Sequence, residues 1–213
     1  GTAVQMIYVV LSLSFLGLLF ASGTARGMVS VWISKHFFAY KYDYRDEWVQ
    51  ANARFAGLPL DKGYFEELIK AMATPVDSMG GWLWVKKDSK LESIASWSTD
   101  QPLDVDPEAL KSIVDFCFHT GWIIELAEYR TDPGRYPGLL LSAEFRESED
   151  IWLIVPLLHQ GELYGLVALR PPRADRSINW EDYDLLKALG GQVATLIAFR
   201  DASEALSQAR QFE

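Results

Sequence analysis

The chain has 213 residues, 49% of them hydrophobic and 23% charged, with a formal net charge of −9 and a pI near 4.9. That acidic balance argues against a nucleic-acid phosphate backbone as partner. The single cysteine, Cys117, excludes an internal disulfide and suits a reducing compartment.

Ala3 to Ser22 runs without a charged side chain and is expected to be a membrane span, since at about 1.5 Å per residue a helix of this length matches the bilayer's hydrocarbon core. A core helix apolar on every face and a cleaved signal are the alternatives, although no basic residue precedes the stretch. The chain begins Gly1-Thr2 without methionine and is expected to be a piece of a longer protein. Arg26, Lys35 and Lys41, with no acid until Asp43, place the following side in the cytoplasm, at the inner (plasma) membrane. Trp32, Phe37, Phe38, Tyr40, Tyr42 and Tyr44 suit a headgroup boundary or, equally, the core of the next domain.

Asp46 to Phe55 and Leu60 to Ala73 are predicted helices separated by Gly57-Leu58-Pro59. Gly81–Lys86 and Leu91–Trp97 read as a first β-hairpin. Asp106-Pro107-Glu108 opens a helix with apolar stripe Leu110, Ile113, Val114, Cys117 and Phe118, ended by Gly121. Trp122–Leu126 is a short predicted strand, and Tyr129–Asp150 a long polar loop, of a length that is usually functional or mobile. Ile151–Leu158 and Leu163–Arg170 form a second hairpin around Gly161. Asn179 then caps a helix expected from Trp180 to Glu213, locally weakened at Gly190-Gly191.

This order predicts an α+β fold, an antiparallel sheet flanked by helices. The final helix outlasts its neighbours, and Leu189, Leu196, Phe199 and Leu206 near one face are expected to form a dimer seam or connector. Nucleotide-loop and metalloprotease motifs are absent. His36, His119 and His159 stand apart, and Cys117 and His119 two residues apart point to different helix faces, so no metal is expected. The acid pairs Glu66-Glu67, Glu149-Asp150 and Glu181-Asp182 read as solvated faces and helix starts, and no catalytic residue is assigned. Trp82, Trp84, Trp97, Cys117, Trp122 and Trp152 are candidates for lining a ligand cavity, the alternative being ordinary core aromatics.

Four stretches carry a resemblance to a family: SKHFFAYKYDYRDEW at 34–48, VPLL with GLV at 155–167, NWEDYDLL at 179–186 and ARQFE at 209–213. Together they resemble the PrsK family of sensor histidine kinases, associated with PEP-CTERM protein sorting and exopolysaccharide systems. The resemblance implies a transmembrane helix at 1–25, a juxtamembrane linker at 26–58, a GAF-like sensory domain at 59–200 and a connector helix at 201–213. Kinase dimerisation and ATP-binding domains would follow. It further implies two-component signal transduction: a homodimer acting on downstream kinase domains and a response regulator, with no enzymatic activity in this segment. No cofactor is expected. The Asn-Lys-Phe-Asp-Glu signature of cyclic-nucleotide-binding GAF domains is absent, and Phe118 separates Cys117 from His119 where bilin-binding members place them side by side. A small-molecule receptor with an aromatic-lined pocket and no kinase output is the alternative.

Overall fold

The computed structural model describes residues 4–8, 62–88, 90–99, 103, 105–174 and 176–211. The chain divides into two compact units, Gly1–Trp48 and Val49–Glu213. In the first, residues 4–8 are helical and exposed. The remainder of the expected span, the juxtamembrane aromatics and the expected helix at 46–55 lie outside the described residues. Among the described residues no helix is long and apolar enough to cross a membrane.

The second unit opens with α1 (Lys62–Ala73), where Tyr64, Leu68 and Met72 are buried one turn apart with Phe65 and Ile69 beside them. The 3-10 turn Thr74–Val76 leads to β1 (Gly81–Lys87) and β2 (Lys90–Trp97), the first hairpin. Next come α2 (Pro107–Thr120), β3 (Ile124–Glu125), α3 (Leu126–Thr131) and α4 (Ala143–Glu147). The second hairpin, β4 (Leu153–His159) and β5 (Glu162–Leu169), precedes the 32-residue α5 (Trp180–Gln211). The five strands form one antiparallel sheet in the order β2-β1-β5-β4-β3. Helices α1 and α5 pack on one face and α2 on the other. An α+β sheet flanked by helices is therefore what the chain forms.

Strand alternation decides which core each side chain joins. Trp82, Trp84, Ile154, Leu166 and Ala168 join Leu110, Ile113, Phe116 and Cys117 of α2 in one cluster. Leu83, Leu153, Val155, Leu157, Val167 and Leu169 are buried at alternate positions, toward α1 and α5. At the end of the second hairpin Leu157 pairs with Gly165 and Leu158 with Leu163, so Tyr164 is the extra residue of a bulge. The bulge resets the alternation and lets Leu163 and Leu166 reach the same core. The hairpin turn is Gln160-Gly161, both with positive φ (51° and 81°), as a two-residue type I′ connection requires.

Helix α2 matches the expected start and stop. The Asp106 carboxylate accepts the Glu108 N–H at 3.0 Å, and the Gly121 N–H, at φ 64°, donates to the Cys117 carbonyl. Its stripe differs from expectation: Phe116 is buried, whereas Phe118 is 43% exposed and Val114 half-buried. The strand expected at Trp122–Leu126 is only two residues long. The Glu125 N–H donates to the Tyr136 hydroxyl, and the Leu126 N–H to the Trp152 carbonyl as the backbone turns into α3.

The long loop expected at Tyr129–Asp150 is also corrected. It holds the end of α3, the 3-10 turn Pro133–Arg135 and α4. Tyr129, Tyr136, Leu139, Leu141 and Phe145 are all buried and pin it down. The Tyr129 hydroxyl donates to the Leu139 carbonyl and accepts the Leu141 N–H, so the segment satisfies its own backbone without a long helix or strand.

Two features seat α5. The first is a capping box: Asn179 Oδ1 accepts the Glu181 and Asp182 N–H groups, and Asp182 Oδ2 accepts the Asn179 N–H at 3.0 Å. Arg176 clamps Asp182 Oδ1 at 2.8 Å, reaches Asp77 Oδ2 at 2.9 Å and donates to the Pro75 carbonyl. Asp182, expected as an acid of the helix start, does sit in the first turn, but it is fully buried rather than solvated. The second is Gly190, where an added Cβ would lie 2.8 Å from the Pro156 carbonyl and 3.4 Å from Val155 Cγ1. The glycine thus brings the helix down onto β4. Pro156 can occupy β4 because β3 pairs only with Leu153 and Ile154, leaving no ladder partner farther along that edge.

Replacing Gly190 by alanine should destabilise the domain by about 1–3 kcal/mol, the usual cost of overpacking. Gly191→Ala, whose Cβ would sit 3.5 Å from the Leu158 carbonyl, should be neutral or stabilising by up to about 1 kcal/mol. Urea denaturation of the two variants compares them directly. Arg176→Ala should cost about 3 kcal/mol, the low end for breaking a buried pair because the arginine is a quarter exposed. Removing the charge of the exposed partner in Asp77→Asn, which keeps a side chain that tolerates the φ of 55° there, should change stability by less than about 1 kcal/mol.

Candidate functional site

Where β3 ends, three segments meet. Glu125 closes the strand, Glu128 lies in the first turn of α3, and Arg135 and Tyr136 follow at the 3-10 turn. The two oxygens of Glu128 are both engaged, one by Arg135 Nη1 and the other by the Tyr136 hydroxyl, which donates at 2.6 Å. That hydroxyl also accepts the Glu125 N–H at 3.1 Å. From α5, the Tyr183 hydroxyl donates to Glu125 Oε2 at 2.9 Å. Helix α5 is therefore hydrogen-bonded to the edge of the sheet and, through Glu125, to the segment beyond it.

Beside this network opens a cleft of about 390 Å³. Trp122 and Ile123 form one side, Glu128, Arg135 and Tyr136 a second, and Tyr183 and Lys187 of α5 a third. Its volume falls in the range of small-molecule sites, about 300–1,000 Å³. Tyr136 joins the cleft to the core: its ring packs against Phe116 and Tyr129, both at 5.9 Å, while its hydroxyl serves Glu128. The phenols of Tyr136 and Tyr183 are both pushed well above the ordinary tyrosine value, by burial first and then by the carboxylates they serve. They act as neutral donors.

Of the six residues the sequence offered for a ligand cavity, Trp122 lines the cleft. It is 46% exposed, its backbone N–H donates to Thr120 Oγ1, and its ring meets Phe116 edge-on at 6.3 Å. Trp82 and Trp84 are buried in the core beneath α2. Trp97 is half-buried at the end of β2, opposite Gly81, and Trp152 is buried at the start of β4. Cys117 is buried, burial pushes its thiol up to about 12, and its Sγ–H points at the Trp122 carbonyl at 3.7 Å. Such a thiol packs as a small apolar group and is a poor nucleophile.

Sequence reasoning missed Glu128, Arg135, Tyr136, Tyr183 and Lys187. The unusual length of the stretch at 129–150 was the signal for Arg135 and Tyr136, and Glu128 lies just before it. Tyr183 and Lys187 carried only an i, i+4 spacing on a helix. Among the described residues no group of three or more His, Cys, Asp or Glu could hold a metal.

A profile of the family described as GAF domain matches residues 64–198. Among solved structures, the GAF domain of a phosphoenolpyruvate-protein phosphotransferase (ptsP) from Coxiella burnetii aligns with a TM-score of 0.58 at 16% identity, over 78% of this chain and 99% of that one. The chromophore-binding domain of Stigmatella aurantiaca bacteriophytochrome aligns at 0.55 and 14%, over 75% of this chain and 61% of that one. Residues 122 to 287 of a methyl-accepting chemotaxis protein align at 0.51 and 16%, over 73% and 97%. At these identities the likeness establishes the fold. A comparison with curated proteins finds no match.

Because the folded-state values of Tyr136, Tyr183 and Cys117 lie above the ordinary 10.0, 10.0 and 9.0, the native state holds these protons more tightly than the unfolded chain. Their contribution to stability is complete below about pH 9 and is lost as pH rises beyond it. Tyr183→Phe should lower stability at neutral pH by about 0.5–1.5 kcal/mol and flatten the alkaline decline. Urea midpoints measured across that pH range read both effects.

Proposed function

Because this chain belongs to the GAF domain family, we propose that it is the sensory segment of a signalling protein, relaying a change in the domain through α5 to whatever follows. The reading rests on where α5 stops being buried. Asp182, Leu186, Leu189, Val193, Ala194 and Ile197 face the domain, whereas Phe199 is 75% exposed and Leu206 56% exposed. Leu189, expected in a dimer seam, is instead part of the core, and Leu196 is half-buried.

The exposed residues Ala188, Gln192, Thr195, Phe199, Ala202 and Leu206 recur at alternating steps of four and three, the spacing of a two-helix seam. The polar members come first and the large apolar ones last, so the seam strengthens as it leaves the domain. The side chain of Arg200 lies over the Phe65 ring at 4.8 Å, which ties α1 to the point where α5 departs. Displacements of the chain leading into α1 would thus be felt at the seam.

The partner in this proposal is a second copy of the chain, forming a homodimer. Resemblance to PrsK-type sequences at 34–48 and 179–186 supports placing the segment in a membrane-bound two-component histidine kinase. Its GAF domain would lie in the cytoplasm at the inner (plasma) membrane, and the domain itself would carry no catalytic chemistry. A response regulator would then be the downstream partner. The cleft beside α5 favours a second reading in which the domain also receives a small molecule.

Sedimentation of the full chain in detergent should show a dimer that Phe199→Glu and Leu206→Glu together convert to a monomer. A wild-type monomer at high concentration would refute the seam. Reading the codons that follow Glu213 tests the kinase assignment: a helix bearing a histidine followed by an acid, leucine and lysine is expected, and a stop codon would exclude it.

A further inference from the structure

We propose that the cleft between Trp122, Arg135 and Lys187 binds a bicyclic aromatic carboxylate and that this ligand bridges α5 to the segment after α3. The inference deepens the second reading above and rests on it, but is independent of the dimer seam. It concerns the edge of the sheet beyond β3. The interior between the sheet and α2 is packed by Trp82, Trp84, Phe116, Tyr129, Tyr136 and Phe145.

Charge selects an anion. The cleft lining holds two cations, Arg135 and Lys187, against one carboxylate, Glu128, on a chain whose overall charge is −9, and the Glu125 carboxylate, outside the lining, is held by the Tyr183 hydroxyl. Glu128 is already engaged by Arg135 and Tyr136. Among the described residues Lys187 has no ion-pair partner, and of the five guanidinium N–H groups Arg135 commits those of one nitrogen. A ligand carboxylate between the two completes both.

Shape selects an aromatic. Trp122 presents an indole that is nearly half exposed, and Phe116, meeting it edge-on, holds it in place. Such a surface stacks a flat ring, and an aliphatic anion leaves it unused. The volume of about 390 Å³ accommodates a ring system larger than a single benzene.

The bridge would bear on output because Tyr183 and Lys187 sit one turn apart on α5. Tyr183 is already hydrogen-bonded to Glu125, so a ligand held by Lys187 adds a second tie one turn farther along the helix. The tie falls just before Gly190, where α5 rests on β4.

Isothermal calorimetry on the full chain in detergent, with naphthoate as the probe, tests the idea. Naphthamide, which lacks the charge, and hexanoate, which lacks the rings, are the controls. Saturable naphthoate binding is expected, with each control about tenfold weaker or more. Lys187→Gln, an exposed substitution, should weaken naphthoate about tenfold and leave naphthamide unchanged. Trp122→Ala should weaken both.

Absence of saturable naphthoate binding to the wild-type chain, or equal binding by Lys187→Gln and wild type, would overturn the proposal. Sedimentation of the same samples separates the two readings. A dimer that does not bind naphthoate overturns the ligand and leaves the seam standing, and a monomer that binds it does the reverse.

Discussion

The approach of α5 to β4 at Gly190 is the constraint on which the rest of the domain depends. No side chain fits between the helix axis and the Pro156 carbonyl, so the helix lies closer to the sheet there than any other residue would permit. Helix propensity alone would disfavour Gly190-Gly191 at about 1 kcal/mol per glycine. Burial of Leu186, Leu189, Val193 and Ile197 on the seated helix offsets that cost, since each fully buried aliphatic side chain is worth about 1.5–3 kcal/mol.

Seating fixes the helix in rotation as well as in depth. With Gly190 against the strand, Tyr183 and Lys187 fall at the edge of the sheet, where Tyr183 meets Glu125. The capping box and the Arg176 clamp fix the first turn at the other end of this contact. Beyond Ile197 the helix has no sheet beneath it, and Phe199 and Leu206 turn outward. One helix thus belongs to the core, the cleft and the projecting arm, which is the mechanical basis for relaying a change from one to another.

Much of the fold was legible in the sequence where local chemistry acts alone. Asp106-Pro107 starts a helix because the carboxylate and the missing proline N–H satisfy its first turn, and Gly121 ends it because its backbone adopts positive φ. The Gln160-Gly161 hairpin and the Asn179 cap follow the same logic. The region from Trp122 to Asp150 was misread because its order comes from scattered aromatics anchored to other elements. Tyr136, which joins Glu125, Glu128, Phe116 and Tyr129, has no periodicity that a single sequence could reveal. Asp182 was placed correctly at the helix start, but its burial was not legible, since its arginine partner is recognised only once both reach the same corner.

Outside residues 122–150, hydrophobic periodicity, caps and turns determined the elements, their order and the α+β class, because each depends on residues within a few positions of one another. Which tryptophan faces a cleft was decided by the tertiary structure: Trp82 and Trp84 share a strand face with the core of α2, while Trp122 stands past the last turn of that helix at an open edge. The cleft itself joins positions 122, 135 and 187, and no local rule relates them. They meet because a two-residue edge strand ends the sheet there and a glycine lets α5 come close enough to wall the gap.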